Sequence, residues 1–269
     1  MSKAFVDTTV FTDAVLKGPP YSTGALKALA RFDETELPTY AIKEFKAGPL
    51  SHWVWLHNKF ATLKSFSKVL GALHGMAMSP RKYRTATAIE ALRDVAKSTG
   101  TRQTSALIAR YGEKARLDSI LSDKYRLAIR YRIFKSWKIR RSVTSSVVLP
   151  LPCYKEVAPF EDRGLIEISP VGCETAECCL APALKQRSGD LQKLKNSTGT
   201  GASREQQRRY QTLRQLIHKP KEPMTEKMCR ELGDAIFVFF APKDSVILTT
   251  NIKDHEPLAT ALGKVVELP

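Results

Sequence analysis

The chain has 269 residues, 43% of them hydrophobic, enough for one large domain or two small ones with a sizeable core, which excludes disorder throughout. Its 43 Lys and Arg against 27 Asp and Glu leave a net charge of +16, a self-repelling surplus that points to a polyanionic partner, nucleic acid first. The longest uncharged run, Ser142 to Tyr154, is broken by prolines and falls short of the roughly 18 to 20 apolar residues of a membrane helix, so no membrane partner is expected.

Asp7 and Asp13 lie near the start with no basic region ahead of an apolar one. No export signal is visible and the expected location is cytoplasmic. The five cysteines then read as reduced thiols rather than a disulfide framework. The charge is unevenly spread. Residues 1–50 hold 6 basic and 6 acidic side chains, 51–150 hold 20 and 5, 151–230 hold 14 and 10, and 231–269 hold 3 and 6. This division suggests a chemistry-bearing core made from the two ends and a polyanion-binding insertion between them.

In chain order, Ala4-Phe5-Val6 reads as a short buried strand that stops at Asp7. Leu16 to Pro20 is a breaker, Thr23 to Arg31 a helix, Asp33 to Pro38 an acidic loop, and Thr39 to Ile42 a strand end leading into a helix that carries Glu44. Helices follow over His52–Met78, Arg81–Lys97, Ser105–Arg116 and Leu121–Arg141, with a turn at Ser98–Thr101. Val143 to Pro152 and Leu165 to Ser169 suggest strands, and Gly189 to Ser203 is the strongest loop candidate. Arg204 to His218 is a basic helix. Thr225 caps a helix over Glu226–Phe240, which Gly233 weakens or divides. A second buried strand, Val246 to Thr249, leads to Asn251 and Asp254, then a helix over Leu258–Leu262 and a last strand over Val265–Pro269. Two buried parallel strands, each followed by acidic or amide residues, indicate an α/β fold in which ligands bind beyond the carboxyl ends of the strands.

Four pieces can meet there: Asp7, Glu44, Asp234, and Asn251 with Asp254. Crowded carboxylates repel one another unless a cation compensates, so such a group suits Mg²⁺ or Mn²⁺. Each alone has an ordinary reading. Asp7 and Asp254 can be helix caps, Glu44 a surface partner of Lys43 or Lys46, and Asp234 a cap at a broken helix.

The set resembles the PIN domain family of metal-dependent nucleases, which opens with a strand ending in Asp-Thr, places a Glu in an early helix and an Asp in a later apolar helix, and has an acidic or amide residue after a strand ending in Thr. The resemblance covers about residues 1–50 and 230–269, and the stretch Asp234 to Pro269 follows the family's order of elements most closely. It implies a three-layer α/β fold with a central, mainly parallel sheet and an inserted, mostly helical, basic subdomain. The core would comprise 1–50 and 225–269 and the insertion 51–224, of which 51–142 is the basic helical part and 143–224 a mixed part able to contribute to the core. It further implies a divalent-metal-dependent nuclease, RNA before DNA. Metal would be held by Asp7, Glu44 and Asp234, with Asp254 or Asn251 completing the shell and Thr8 or Thr249 orienting a water. Resembling proteins include RNA-processing enzymes and toxins of toxin–antitoxin pairs, often dimeric. A homodimer and an acidic protein partner, such as an antitoxin or a defence partner, are therefore further expectations.

The alternative class is a module that keeps the fold, has lost catalysis, and binds nucleic acid or protein through its basic part. Leu121–Arg141 carries eight Lys and Arg against Asp123 alone, so ion pairs within the helix cannot neutralise it. Leu121, Tyr125, Ala128 or Ile129, Ile133 and Trp137 form its apolar stripe, read as core. Lys124, Arg126, Arg130, Arg132, Lys138, Arg140 and Arg141 are candidate phosphate contacts, and Arg204, Arg208, Arg209 and Arg214 form a weaker second face. Gly199-Thr200-Gly201 lacks the Lys-Ser/Thr of a phosphate loop. Cys173, Cys178 and Cys179 have no C-x-x-C partner or nearby His, which disfavours zinc, and the five scattered histidines come with no nucleophile motif.

Overall fold

A computed structural model describes residues 2–77, 82–99, 114–169, 173–175, 177–198 and 203–269. The core is a five-stranded, wholly parallel sheet of β1 (Lys3–Val6), β2 (Glu34–Pro38), β3 (Ser146–Val148), β6 (Ser245–Leu248) and β7 (Val265–Glu267), in the order β3-β2-β1-β6-β7. The register sets Phe5 beside Glu36 on one side and beside Ile247 on the other. Ala4, Phe5, Val6, Leu37, Ile247 and Leu248 are buried, as strands covered on both faces require. The chain moves outward from β1 to β2 and β3, then returns to β6 and moves the other way to β7. Right-handed crossovers therefore place the helices of the two halves on opposite faces.

The first half contributes α1 (Thr8–Val15), α2 (Tyr21–Leu29) and α3 (Thr39–Phe45). Residues 34–38, expected as a loop, form β2: Thr35 and Leu37 point inward while Glu34 and Glu36 are half-buried, and Glu34 pairs with Lys3 at 2.8 Å. Thr39–Ile42 is helical from its first residue, since Pro38 is already extended and starts the turn. The single helix expected over His52–Met78 is two, α4 (Ser51–Leu63) and α5 (Phe66–Ala77), divided at Lys64, whose φ of +49° is left-handed. Next come α6 (Lys82–Thr99) and α7 (Lys114–Ile139); most of the expected Ser105–Arg116 helix lies outside the described residues. Ile129, Ile133 and Trp137 are buried, and Tyr125 stacks with Phe60 and meets Phe66 at a tilt, so the stripe of α7 is core.

The expected strand over Val143–Pro152 shortens to β3, and that over Leu165–Ser169 becomes β5 (Leu165–Glu167) in a separate antiparallel hairpin with β4 (Phe160–Asp162). After the short α8 (Ala181–Gln186), the expected loop is mostly α9 (Ser188–Thr198). Its Leu191, Leu194 and Thr198 are buried on one helical face, which outweighs the loop-like composition, while residues 199–202, including the Gly199-Thr200-Gly201 stretch, lie outside the described residues. Then α10 (Arg204–His218) and α11 (Glu226–Phe240) run without a break at Gly233, and α12 (Ile252–Ala261) starts earlier than expected. Lys264 follows Gly263, which sits at φ +65°, and its ammonium donates to the carbonyls of Val238, Phe239 and Ala241, closing the end of α11. Helices α9 and α10 pack on α12 and α11, so residues 143–224 supply both a sheet strand and part of a helical layer. Among the described residues no helix is long and apolar enough to cross a membrane.

Candidate metal centre

The order of strands reverses between β1 and β6, and both end at the same edge. The Asp7 backbone N–H donates to Leu248 O at 3.0 Å, which ties the two tips together. Asp7 is buried and does cap α1, accepting the Thr8 N–H at 2.7 Å on Oδ1. The cap leaves Oδ2, which accepts hydroxyls from Thr9 at 2.7 Å and Thr249 at 2.6 Å. Thr249 also accepts the Asn251 N–H at 2.9 Å, and Thr9 that of Thr250 at 3.1 Å. The two strand ends are thus laced together around one carboxylate.

Glu44, on the last turn of α3, is half-buried and accepts the Thr8 hydroxyl at 2.7 Å. Neither neighbouring lysine is its partner: Lys43 donates to Cys173 Sγ, and Lys46 to Val157 O and Ser169 Oγ. Burial, joined by the charges of Asp7 and Asp234, pushes the Glu44 carboxyl up to about 8 against the pull of hydrogen bonds from Thr8 and Tyr40. Gly233 faces this group. A Cβ there would lie 3.4 Å from Glu44 Oε1, so the glycine lets the carboxyl lie against the backbone of α11.

Asp234 sits within continuous helix and is no cap. Burial raises its carboxyl, and so do Asp7 and Asp254, while Arg209 and His255 oppose the rise. Arg209 is the correction to the expected nucleic-acid face. It is buried, and its guanidinium grips Asp234 Oδ2. Its place on a helix whose other arginines face water concealed this from a reading of the sequence.

His255 is the site residue that reasoning from sequence missed. It is buried in the first turns of α12, with Nδ1 3.1 Å from the Asn251 carbonyl. A carbonyl only accepts, so Nδ1 is the donor in that bond and Nε2 faces the carboxylates. Nε2 lies 3.9 Å from Asp7 Oδ1 and 4.0 Å from Asp234 Oδ1, and has no hydrogen-bond partner. The available signal was the four-residue spacing from Asn251 to His255 at a helix start behind a buried strand. Asn251 occupies the N-cap position without a side-chain cap bond, and Asp254 lies half-buried in the first turn.

Asp7, Glu44 and Asp234 are therefore connected through Thr8, His255 and the Gly233 gap, with Asp254 acting on Asp234 by charge. Among the described residues no three carboxylate, imidazole or thiol groups already surround a single point. Their oxygens are turned to Thr8, Thr9, Thr249 and Arg209 instead. The donor set nevertheless suits a hard divalent cation: oxygen ligands from separate elements, a carboxyl displaced upward by burial and by its like-charged neighbours, and a buried imidazole nitrogen aimed between two of them.

The basic candidates divide by partner. Arg132 lies beside Asp94 at 3.6 Å and over the Trp53 ring. Arg140 is held by Glu156 and stacks 4.1 Å over Trp137, and Arg141 reaches the same Glu156 at 2.5 Å. Arg130 pairs with Glu161 at 2.6 Å and Arg126 with Asp123 at 3.5 Å. Carboxylates from outside α7 thus neutralise much of what its own Asp123 cannot. Lys124 is half-buried; Lys138 and Arg208 are exposed. Arg130, Tyr131, Phe134, Lys135 and Lys138 line one open groove together with Glu161, the partner of Arg130, and Tyr131 there is 64% exposed; Lys135 and Lys138 beside aromatic faces suit single-stranded nucleic acid.

No protein-family model, curated protein or solved structure matches the chain.

Proposed function

We propose that the chain is a divalent-metal-dependent nuclease, an endoribonuclease of the PIN type that its two ends resemble. The observation that carries this reading is the meeting of Asp7, Glu44 and Asp234, from three separate elements, at the edge where β1 and β6 end. Asp7, Glu44 and Asp234 would hold Mg²⁺ or Mn²⁺, with Asp254 or Asn251 completing the shell. When bound, the ion would lower the pKa of a water and offset the charge gathering on phosphate.

The chain's own groups prepare this. Thr9 and Thr249 fix the rotation of the Asp7 carboxylate, and Thr8 turns Glu44 toward it. His255 sets an imidazole nitrogen between Asp7 and Asp234, and Arg209 holds Asp234 from the other side. The groove beside Tyr131 and Lys138 would hold backbone and bases. RNA is the preferred substrate on the resemblance alone.

One observation favours a second reading, a binding module without catalysis: Arg209 already supplies a positive charge to Asp234. Incubation of labelled RNA and DNA panels with Mn²⁺ separates the two, with Asp7→Asn and Asp234→Asn as controls. Cleavage by the wild type alone is the expected result. Binding without cleavage by the wild type would overturn the nuclease reading.

A further inference from the structure

The five cysteines are linked by pairwise contacts into one neighbourhood, although they are spread from residue 153 to residue 229. Cys153 Sγ lies 3.1 Å from Cys179 Sγ, Cys173 is beside Cys153, and Cys178 is hydrogen-bonded to Cys229. Between the pairs lies Lys43, buried, its ammonium 3.1 Å from Cys173 Sγ and near Cys153, Cys178 and Cys229. Spacing along the chain concealed this. Cys173, Cys178 and Cys179 share one loop, but Cys153 arrives from the segment after β3 and Cys229 from α11.

Two features bear on the charge of the sulfurs. Among the described residues no carboxylate forms an ion pair with Lys43, whose ammonium donates to Cys173 Sγ at 3.1 Å beside an open pocket that Glu44 and Glu226 also line. The Cys229 thiol and the backbone N–H groups of Leu180 and Ala181 hold Cys178 down, whereas burial raises Cys153 and Cys173, and Cys229 is raised by its bond to Cys178 and by burial. N–H donors on sulfur favour the thiolate over the thiol. Ionising several neighbouring thiols together requires a soft cation among them, and zinc-type ions take four thiolates at about 2.3 Å in a tetrahedron.

We infer that four of the cysteines Cys153, Cys173, Cys178, Cys179 and Cys229, with Cys178 and Cys229 among the four, supply a tetrathiolate site for a zinc-class ion, with Lys43 offsetting the excess negative charge. The thiols now touch in pairs, and the ion would draw four of them around one centre, releasing their protons. The site is separate from the carboxylate centre but braces it. Lys43 adjoins Glu44 on α3, the Tyr40 hydroxyl donates to Cys229 O at 3.3 Å, and Cys229 and Asp234 share α11. Zinc here would fix the two helices that carry two of the three carboxylates.

The test is the metal content and thiol state of the full chain, purified in reductant without chelator. Elemental analysis should find about one zinc per chain, and Co²⁺ exchanged for it should give the visible bands of tetrahedral thiolate cobalt. Cys178→Ser and Cys229→Ser should each lose the ion. Because either variant can also unfold, the wild type carries the decision. Five alkylatable thiols that neither contain zinc nor take up Co²⁺, or a Cys153–Cys179 disulfide in metal-free protein, would overturn the inference.

Discussion

Glu44 makes the carboxylate centre measurable without substrate. Its carboxyl is raised to about 8 by burial and by Asp7 and Asp234, whereas in the unfolded chain it returns to about 4.3. The folded state therefore holds a proton that the unfolded state has lost. The associated stability is complete below the unfolded value and disappears as pH rises through about 8. Each tenfold difference in proton affinity between the two states is worth about 1.36 kcal/mol, and water reaching the half-buried carboxyl screens part of the total, leaving about 2 to 3 kcal/mol. Thermal unfolding in chelator at pH 5, 6, 7 and 8 should show the wild type losing roughly 4 to 10 °C relative to Glu44→Gln across that range. Mn²⁺ should reverse the sign, because it must displace the same proton. Apparent affinity should rise about tenfold per pH unit up to about 8 and then flatten. Parallel melting curves for wild type and Glu44→Gln, or Mn²⁺ binding that ignores pH, would refute the idea that these carboxyls share one field.

Arg209→Met should cost about 3 kcal/mol in urea unfolding, because it strips the partner from a largely buried Asp234. Replacing Gly233 by Ala should raise stability by up to about 1 kcal/mol through helix propensity, while setting a methyl 3.4 Å from Glu44 Oε1 and weakening Mn²⁺ binding in calorimetry. Changing both Lys138 and Arg208 to Glu should weaken nucleic-acid binding and flatten its salt dependence by roughly two phosphate contacts, whereas Arg140→Gln should act mainly on stability through Glu156. Fluorescence anisotropy over a salt series reads the first effect, and denaturant midpoints the second.

The two strands flanking the site were legible because each is a short apolar run ended by Asp or Thr-Thr-Asn, a length that suits a buried strand better than a helix. β2 was not, because Glu34 and Glu36 dominate its composition although Thr35 and Leu37 carry the inward face. α9 escaped for a similar reason: its glycine, Asn, Ser and Thr suggest a loop, and only the Leu191, Leu194 and Thr198 face reveals the helix. The carboxylates of the site were legible as candidates to meet, since each follows or faces a strand end. His255 and the true position of Arg209 needed tertiary packing, because a buried ion pair and a surface cation have the same local sequence. The count of eight basic residues against Asp123 likewise missed Glu156, Glu161 and Asp94, which lie outside the helix they neutralise.

The same packing bears on how the chain can be divided. Charge sets 51–150 apart and the resemblance draws the insertion as 51–224, yet the sheet edge is completed by β3, with Ser146 beside Glu36 and Val148 beside Pro38. The partner of Asp234 comes from α10, and α9 and α10 cover the helices that hold Asp234 and His255. Cys153, Cys173, Cys178 and Cys179 come from this middle region as well, and they meet Cys229 of α11 and Lys43 of α3. Excision of 51–224 would therefore expose an unpaired sheet edge at β2, remove the cover of α11 and α12, and leave Asp234 without its guanidinium. The helices from α4 to α7 pack on one another, with α4 also against the β4–β5 hairpin, α7 against α1, and Asp94 of α6 accepting the Gly18 N–H at 2.9 Å, whereas β3, α9 and α10 are built into the centre itself.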